Sequence, residues 1–148
     1  QPIIARQSEI AHAPPSARYR ITEKESAMTP SMSSQYQAAL DAGNFQIQRC
    51  TACHEAIFYP RELCPHCGSE RLTWEQPSGQ GTVYSTTVIR RKAEAGGDYN
   101  VALVDLAEGP RMMSRVEGMA PADVKIGMAV HAQVVQHNGK GLLVFKAA

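Results

Sequence analysis

All four cysteines of the 148-residue chain fall into two Cys-x2-Cys pairs, Cys50-x2-Cys53 and Cys64-x2-Cys67, with ten residues between the pairs. Each pair can form a tight knuckle that presents two sulfurs to one ion. Four thiolates then close a tetrahedral shell with metal–sulfur distances of about 2.3 Å. Pro65 stiffens the second knuckle, and Gly68, just past the last cysteine, can take the left-handed conformation the turn needs. Two disulfides, or four unrelated core thiols, would use the same residues. A cytoplasmic chain argues against the disulfides, and the paired spacing argues against coincidence. We therefore assign Cys50, Cys53, Cys64 and Cys67 as ligands of one Zn2+ ion. A filled shell has no position for water or substrate, so the ion is expected to be structural. The Cys-Pro-x-Cys-Gly knuckle also suits a redox iron held as in rubredoxin. His54 and His66 adjoin the cysteines, but four sulfurs leave them no coordination site, and they are read as knuckle surface.

The chain around this centre divides by composition. Residues 1–30 carry Pro14-Pro15, scattered charges and too few apolar positions for a core, and are read as an N-terminal extension. Residues 31–43 predict a helix, with Ser31 or Ser33 as its cap, Tyr36, Ala39 and Leu40 on one face, and Gly43-Asn44 as its end. Residues 44–76 form the metal segment, entered by the alternating run Phe45-Gln46-Ile47-Gln48. In residues 77–148 five β-rich runs follow: Thr82–Arg91, Asn100–Leu106, Met112–Glu117, Met128–Gln136 and Leu142–Phe145. Turn-forming residues separate them. Asn138-Gly139 predicts a tight hairpin, and Pro121–Val124 predicts one helical turn between the third and fourth strands. Five strands with an element in that position fit an OB-fold barrel. The fold class is thus mainly β.

The charge balance, 15 Lys and Arg against 14 Asp and Glu, narrows the function classes. No segment is strongly basic, which argues against nucleic acid as the main partner. No apolar run approaches the ~20 residues of a membrane helix, and the first residues lack a signal-peptide pattern. The chain is read as cytoplasmic. There is no GxSxG, P-loop or HExxH, and no cysteine is left to act as a nucleophile. Gly79-Gln80-Gly81 precedes a strand and reads as a turn. Asp98, Asp105, Glu108 and Glu117 read as turn and strand-edge acids. The one basic cluster is Arg90-Arg91-Lys92, a solvated strand end that could also contact a phosphate, such as that of coenzyme A. Arg111 and Arg115 join it if their strand lies alongside. Tyr84, Tyr99, Met112 and Met113 fit either the core or its rim, and each is read as core.

The motifs together resemble the acyl-CoA-associated zinc-ribbon/OB-fold proteins. The resemblance is carried by Phe58-Tyr59-Pro60-Arg61-x2-Cys64-Pro65-x-Cys67-Gly68, Leu72-x-Trp74 and Ser78-Gly79-x-Gly81-x-Val83-Tyr84-Ser85-x-Thr87. It continues in Tyr99-x-Val101-Ala102-Leu103-Val104-Asp105-Leu106-x-Glu108-Gly109, Val124-x-Ile126-Gly127-Met128-x-Val130 and Leu142-x-Val144-Phe145, and spans residues 31–148. It implies an N-terminal helix, a rubredoxin-like zinc ribbon and a C-terminal five-stranded OB barrel. It further implies a non-catalytic subunit of lipid metabolism that docks on a thiolase-like enzyme or an acyl-CoA hydratase, stabilises it and helps bind acyl-CoA. Tyr36 stands where the family pattern has Phe or Trp. Two other readings make distinct predictions: a nucleic-acid module shows salt-dependent binding to single strands, and an electron carrier is red and iron-loaded.

Overall fold

A computed structural model describes residues 29–148. The expectation of an N-terminal extension over residues 1–30 falls, apart from its last positions, outside the described residues. Helix α1 spans Met32–Asp41. Ser31 caps it, its hydroxyl accepting from the Ser34 N–H at 3.2 Å, which satisfies one of the unpaired first-turn donors. Tyr36 and Leu40, one turn apart, are its buried face. Among the described residues no helix is long and apolar enough to cross a membrane.

Three short strands follow: β1 (Ile47–Cys50), β2 (Ala56–Ile57) and β3 (Leu72–Glu75). They form an antiparallel sheet with β1 in the centre. The successive residues Ile47 and Gln48, on opposite faces of β1, are both buried, so the strand is covered on both faces and the polar-out alternation does not hold. Gln48, a polar position of the alternating run, is buried. Its side chain closes two hydrogen bonds with the Arg61 peptide: Oε1 accepts from the Arg61 N–H at 2.7 Å, and Nε2 donates to the Arg61 carbonyl at 2.9 Å. A buried amide needs such partners.

The barrel comprises β4 (Gln80–Ile89), β5 (Tyr99–Leu106), β6 (Arg111–Ser114), β7 (Val116–Glu117), β8 (Ala129–His137) and β9 (Lys140–Ala147). Its strand order is β6-β5-β4-β8-β9-β7. The third run read in the sequence, Met112–Glu117, is therefore two pieces broken at Arg115. Its first piece pairs antiparallel with β5. Its second pairs in parallel with β9, Val116 opposite Phe145 and Glu117 opposite Lys146, and so closes the barrel. At the break the Arg115 carbonyl accepts the Phe145 N–H at 2.9 Å. A 3₁₀ turn at Pro121–Asp123 lies between the third and fourth strands. Asn138 and Gly139 both have positive φ, 51° and 78°, and close the β8–β9 hairpin.

One apolar core unites the parts. Tyr36 and Leu40 of α1 and Ile47 and Ala56 of the ribbon pack with Val83, Val104, Val130 and Phe145 of the barrel. A second, smaller cluster, Cys50, Ile57 and Cys64 with Leu72 and Cys53 against it, surrounds the sulfurs. Of the four residues read as core, Met112 is in it and three are not. Met112 is buried, but its neighbour Met113 points outward because successive strand residues alternate faces. Tyr84 is exposed at the β-bulge between Val83 and Ser85, and Tyr99 is half-buried on the outer face.

Candidate metal centre

The two knuckles are built alike. In each, the first cysteine carbonyl accepts the N–H four residues on: His54 to Cys50, and Gly68 to Cys64, both at 2.9 Å. The first cysteine N–H in turn bonds the carbonyl five residues on, Glu55 or Ser69, at 3.0 and 2.9 Å. The first cysteine sulfur accepts the N–H two residues later, Ala52 or His66, at 3.4 Å. The fifth position is left-handed in both. Gly68 (φ 74°) adopts that conformation freely, whereas His54 (φ 64°) is an L-residue held there by the turn. Arg49 fastens the first knuckle. It pairs bidentately with Glu75 of β3 at 2.8 Å and donates to the His54 carbonyl at 2.7 Å.

This geometry brings the four sulfurs to one point. Cys50 Sγ lies 3.6 Å from Cys67 Sγ, and Cys53 Sγ lies 3.6 Å from Cys64 Sγ. All four fall within 4.8 Å of one another. A regular tetrahedron with metal–sulfur bonds of about 2.3 Å has sulfur–sulfur edges of about 3.8 Å, so the donor set fits a zinc-sized cation. Hydrogen bonds from the Cys53 and Ala52 backbone pull the Cys50 thiol down to about 6. At Cys53 the Glu55 backbone hydrogen bond works downward, but burial and the neighbouring thiols push the group up to about 12. Four crowded thiols of this kind ionise together only when a cation absorbs the charge. His54 and Cys67 are at the surface, and His66 is exposed.

Arg90, Arg91 and Lys92 are exposed where β4 leaves the barrel. Asp98, across the β4–β5 connection, organises them. It accepts the Arg91 N–H at 2.9 Å and the Arg90 guanidinium at 2.5 Å, and these bonds, the backbone one first, hold its carboxyl below the usual range. The Arg91 guanidinium lies 4.9 Å from the centre of the Tyr99 ring. Arg111 does not join this cluster. It sits at the opposite end of β5, pairs with Asp105 at 2.5 and 3.1 Å, and stacks 3.3 Å over the Tyr84 ring. Arg115, at the strand break, pairs with Glu117 at 2.5 Å. The acids Asp98, Asp105 and Glu117 are thus each tied to an arginine, and Glu108 accepts the Ser78 N–H at 2.7 Å.

Two family models match the chain. Residues 37–73 match the ChsH2 rubredoxin-like zinc ribbon domain, and residues 74–135 match the ChsH2 C-terminal OB-fold domain. A DUF35 domain-containing scaffold protein of Pyrococcus furiosus is 32% identical over 95 residues, covering 60% of this chain and 70% of that protein. The chain belongs to the ChsH2/DUF35 family. A chain of a solved structure titled "Ltp2-ChsH2(DUF35) aldolase" superposes with a TM-score of 0.71 at 32% identity, over 81% of this chain and 97% of that one. A protein of Thermomonospora curvata named "Probable enoyl-CoA hydratase alpha subunit" is 41% identical over 86 residues. The match takes in 57% of this chain but spans only 27% of that relative's length. The zinc ribbon match, together with the four clustered cysteines, supports structural zinc.

Proposed function

We propose that this chain is a non-catalytic scaffold subunit that docks on an acyl-CoA-processing enzyme of the thiolase-like or hydratase kind, stabilises it and helps hold its acyl-CoA substrate. The observation that carries this reading is the likeness of nearly the whole described fold to the ChsH2(DUF35) chain of an aldolase. The names of the scaffold protein and hydratase-subunit relatives support it. In this reading Cys50, Cys53, Cys64 and Cys67 hold one structural zinc ion, which fixes the ribbon and takes no part in turnover. The partner supplies the nucleophile and the bases. The barrel borders the coenzyme A channel, and the exposed Arg90-Arg91-Lys92 end offers charge-assisted hydrogen bonds to a phosphate.

The test is a comparison of the partner enzyme alone and with this chain. We expect a higher melting temperature and a lower KM for acyl-CoA in the complex. Unchanged stability and unchanged kinetics overturn the reading. Charge reversal at Arg91 should raise KM and leave zinc content at one per chain; an unchanged KM removes the phosphate contact.

A further inference from the structure

A groove of about 610 Å³ runs between α1, the Phe58–Arg61 loop and the facing strands β6 and β9. Three features of it are unspent among the described residues. First, its walls expose large apolar side chains: Met113 is 69% exposed, Tyr59 49% and Leu142 36%. Second, β6 is an end strand of the sheet. The Leu106 N–H donates to the Pro110 carbonyl at 3.0 Å, and alternation along the antiparallel ladder from there turns the N–H and C=O of Arg111 and Met113 away from β5, toward the groove. Third, the Arg61 guanidinium forms no ion pair or hydrogen bond among the described residues. Its backbone is nonetheless pinned at both polar atoms by the buried Gln48 side chain. A buried amide is thus committed to fixing the base of an unpaired cation at the groove's edge.

We propose that this groove is the docking seat for an extended, apolar segment of a protein partner that carries a carboxylate. The segment's backbone pairs with the free edge of β6, its apolar side chains cover Tyr59, Met113 and Leu142, and its carboxylate meets Arg61. Strand addition of this kind draws affinity from main-chain bonds and specificity from alternate side chains. The charge decides the occupant: a second copy docked groove to groove would bring one unpaired Arg61 toward another, whereas an acidic partner neutralises it. The inference rests on the scaffold reading and names the surface through which that enzyme is held.

The tagged full chain, wild type and variants, is recovered from its own cells after nuclease treatment, and co-purifying proteins are identified by mass spectrometry. Met113→Asp and Arg61→Glu alter exposed side chains of the groove; Lys125→Glu is a charge-reversal control elsewhere. The expected result is an acyl-CoA-processing enzyme recovered with wild type and Lys125→Glu. Its yield falls about tenfold or more with Met113→Asp and with Arg61→Glu, and Arg61→Lys restores part of it. Undiminished recovery with both groove variants overturns the groove and leaves the scaffold reading standing. A wild-type chain that recovers no acyl-CoA enzyme, or only nuclease-sensitive partners, overturns both. Should a variant melt lower than wild type, peroxide oxidation of Met113 in the wild-type complex decides: protection relative to the free chain supports the seat, and equal oxidation overturns it.

Discussion

The polar residue with the most structural consequence is Gln48. Both ends of its amide are committed to the Arg61 peptide, in a sheet otherwise filled by Ile47, Ala56 and Ile57. Gln48→Leu keeps the volume roughly but leaves that peptide's donor and acceptor without partners. Unpaired buried polar groups cost about 1–3 kcal/mol, so the variant should melt several degrees lower, as calorimetry would register. Residue by residue, legibility followed locality. The cysteine spacing is a local rule, and the knuckles need only the chain between Cys50 and Ser69 to bring the sulfurs together. Gln48 was illegible because its partner lies thirteen positions on. An alternating strand beside Phe45 and Ile47 looks one-sided until its second face is covered. Arg61 reads in the sequence only as one position of a motif, since nothing there distinguishes a pinned surface arginine from a solvated one.

At the scale of elements, α1 is joined to the barrel by a short polar clasp. The Gly141 N–H donates to Asp41 Oδ1 at 2.7 Å, and Gln37 Nε2 donates to the Gly141 carbonyl at 2.9 Å. Gly141 is required sterically: a Cβ there would stand 2.1 Å from the Leu40 carbonyl oxygen, a backbone atom that cannot rotate away. Gly141→Ala should therefore lift the helix from β9, at a cost of about 1–3 kcal/mol. Amide exchange of Tyr36–Leu40 should accelerate while the β4–β5 ladder stays protected. The clasp also predicts a pH response. The Gly141 backbone bond, then the Gln37 bond, hold the Asp41 carboxyl below its ordinary value. A depressed carboxyl stabilises fully above its unfolded pKa, about 4. That contribution is lost as pH falls through the lower folded value, so α1 exchange should quicken in acid, and Asp41→Asn should abolish that part of the response. The sequence showed the helix and offered Ser31 or Ser33 as its cap, both local features, but not its docking, which depends on a glycine a hundred residues away.

For the whole molecule, the separation of the two apolar clusters sets what metal removal can do. The cysteines sit in the small cluster with Ile57 and Leu72, while Ile47 and Ala56 share the main core with the barrel. Structural zinc contributes on the order of 10 kcal/mol to small zinc-bound folds, and the small cluster has little else to hold it. Chelation should release one zinc per chain and expose Cys50–Cys67 to thiol reagents and proteolysis. The barrel's β-sheet circular dichroism should survive, and zinc should restore protection. A red, iron-loaded preparation would instead favour the electron carrier. The five barrel strands were readable from turn residues and alternation. The break at Arg115 was not, because it arises where one strand changes partner from β5 to β9, a choice made by distant parts of the chain.

That break carries a kinetic meaning. The β4–β5 and β8–β9 ladders join strands that adjoin in sequence, the second across only Asn138-Gly139, whereas the perimeter is shut by two parallel residue pairs. Closing a long loop for so few bonds is entropically late work. Barrel closure should therefore follow the rate-limiting step of folding and be the first contact surrendered. Val116→Ala should speed unfolding and leave the refolding limb of a chevron almost unmoved, so the seam at Val116 governs how long the folded barrel lasts, not how quickly it is made.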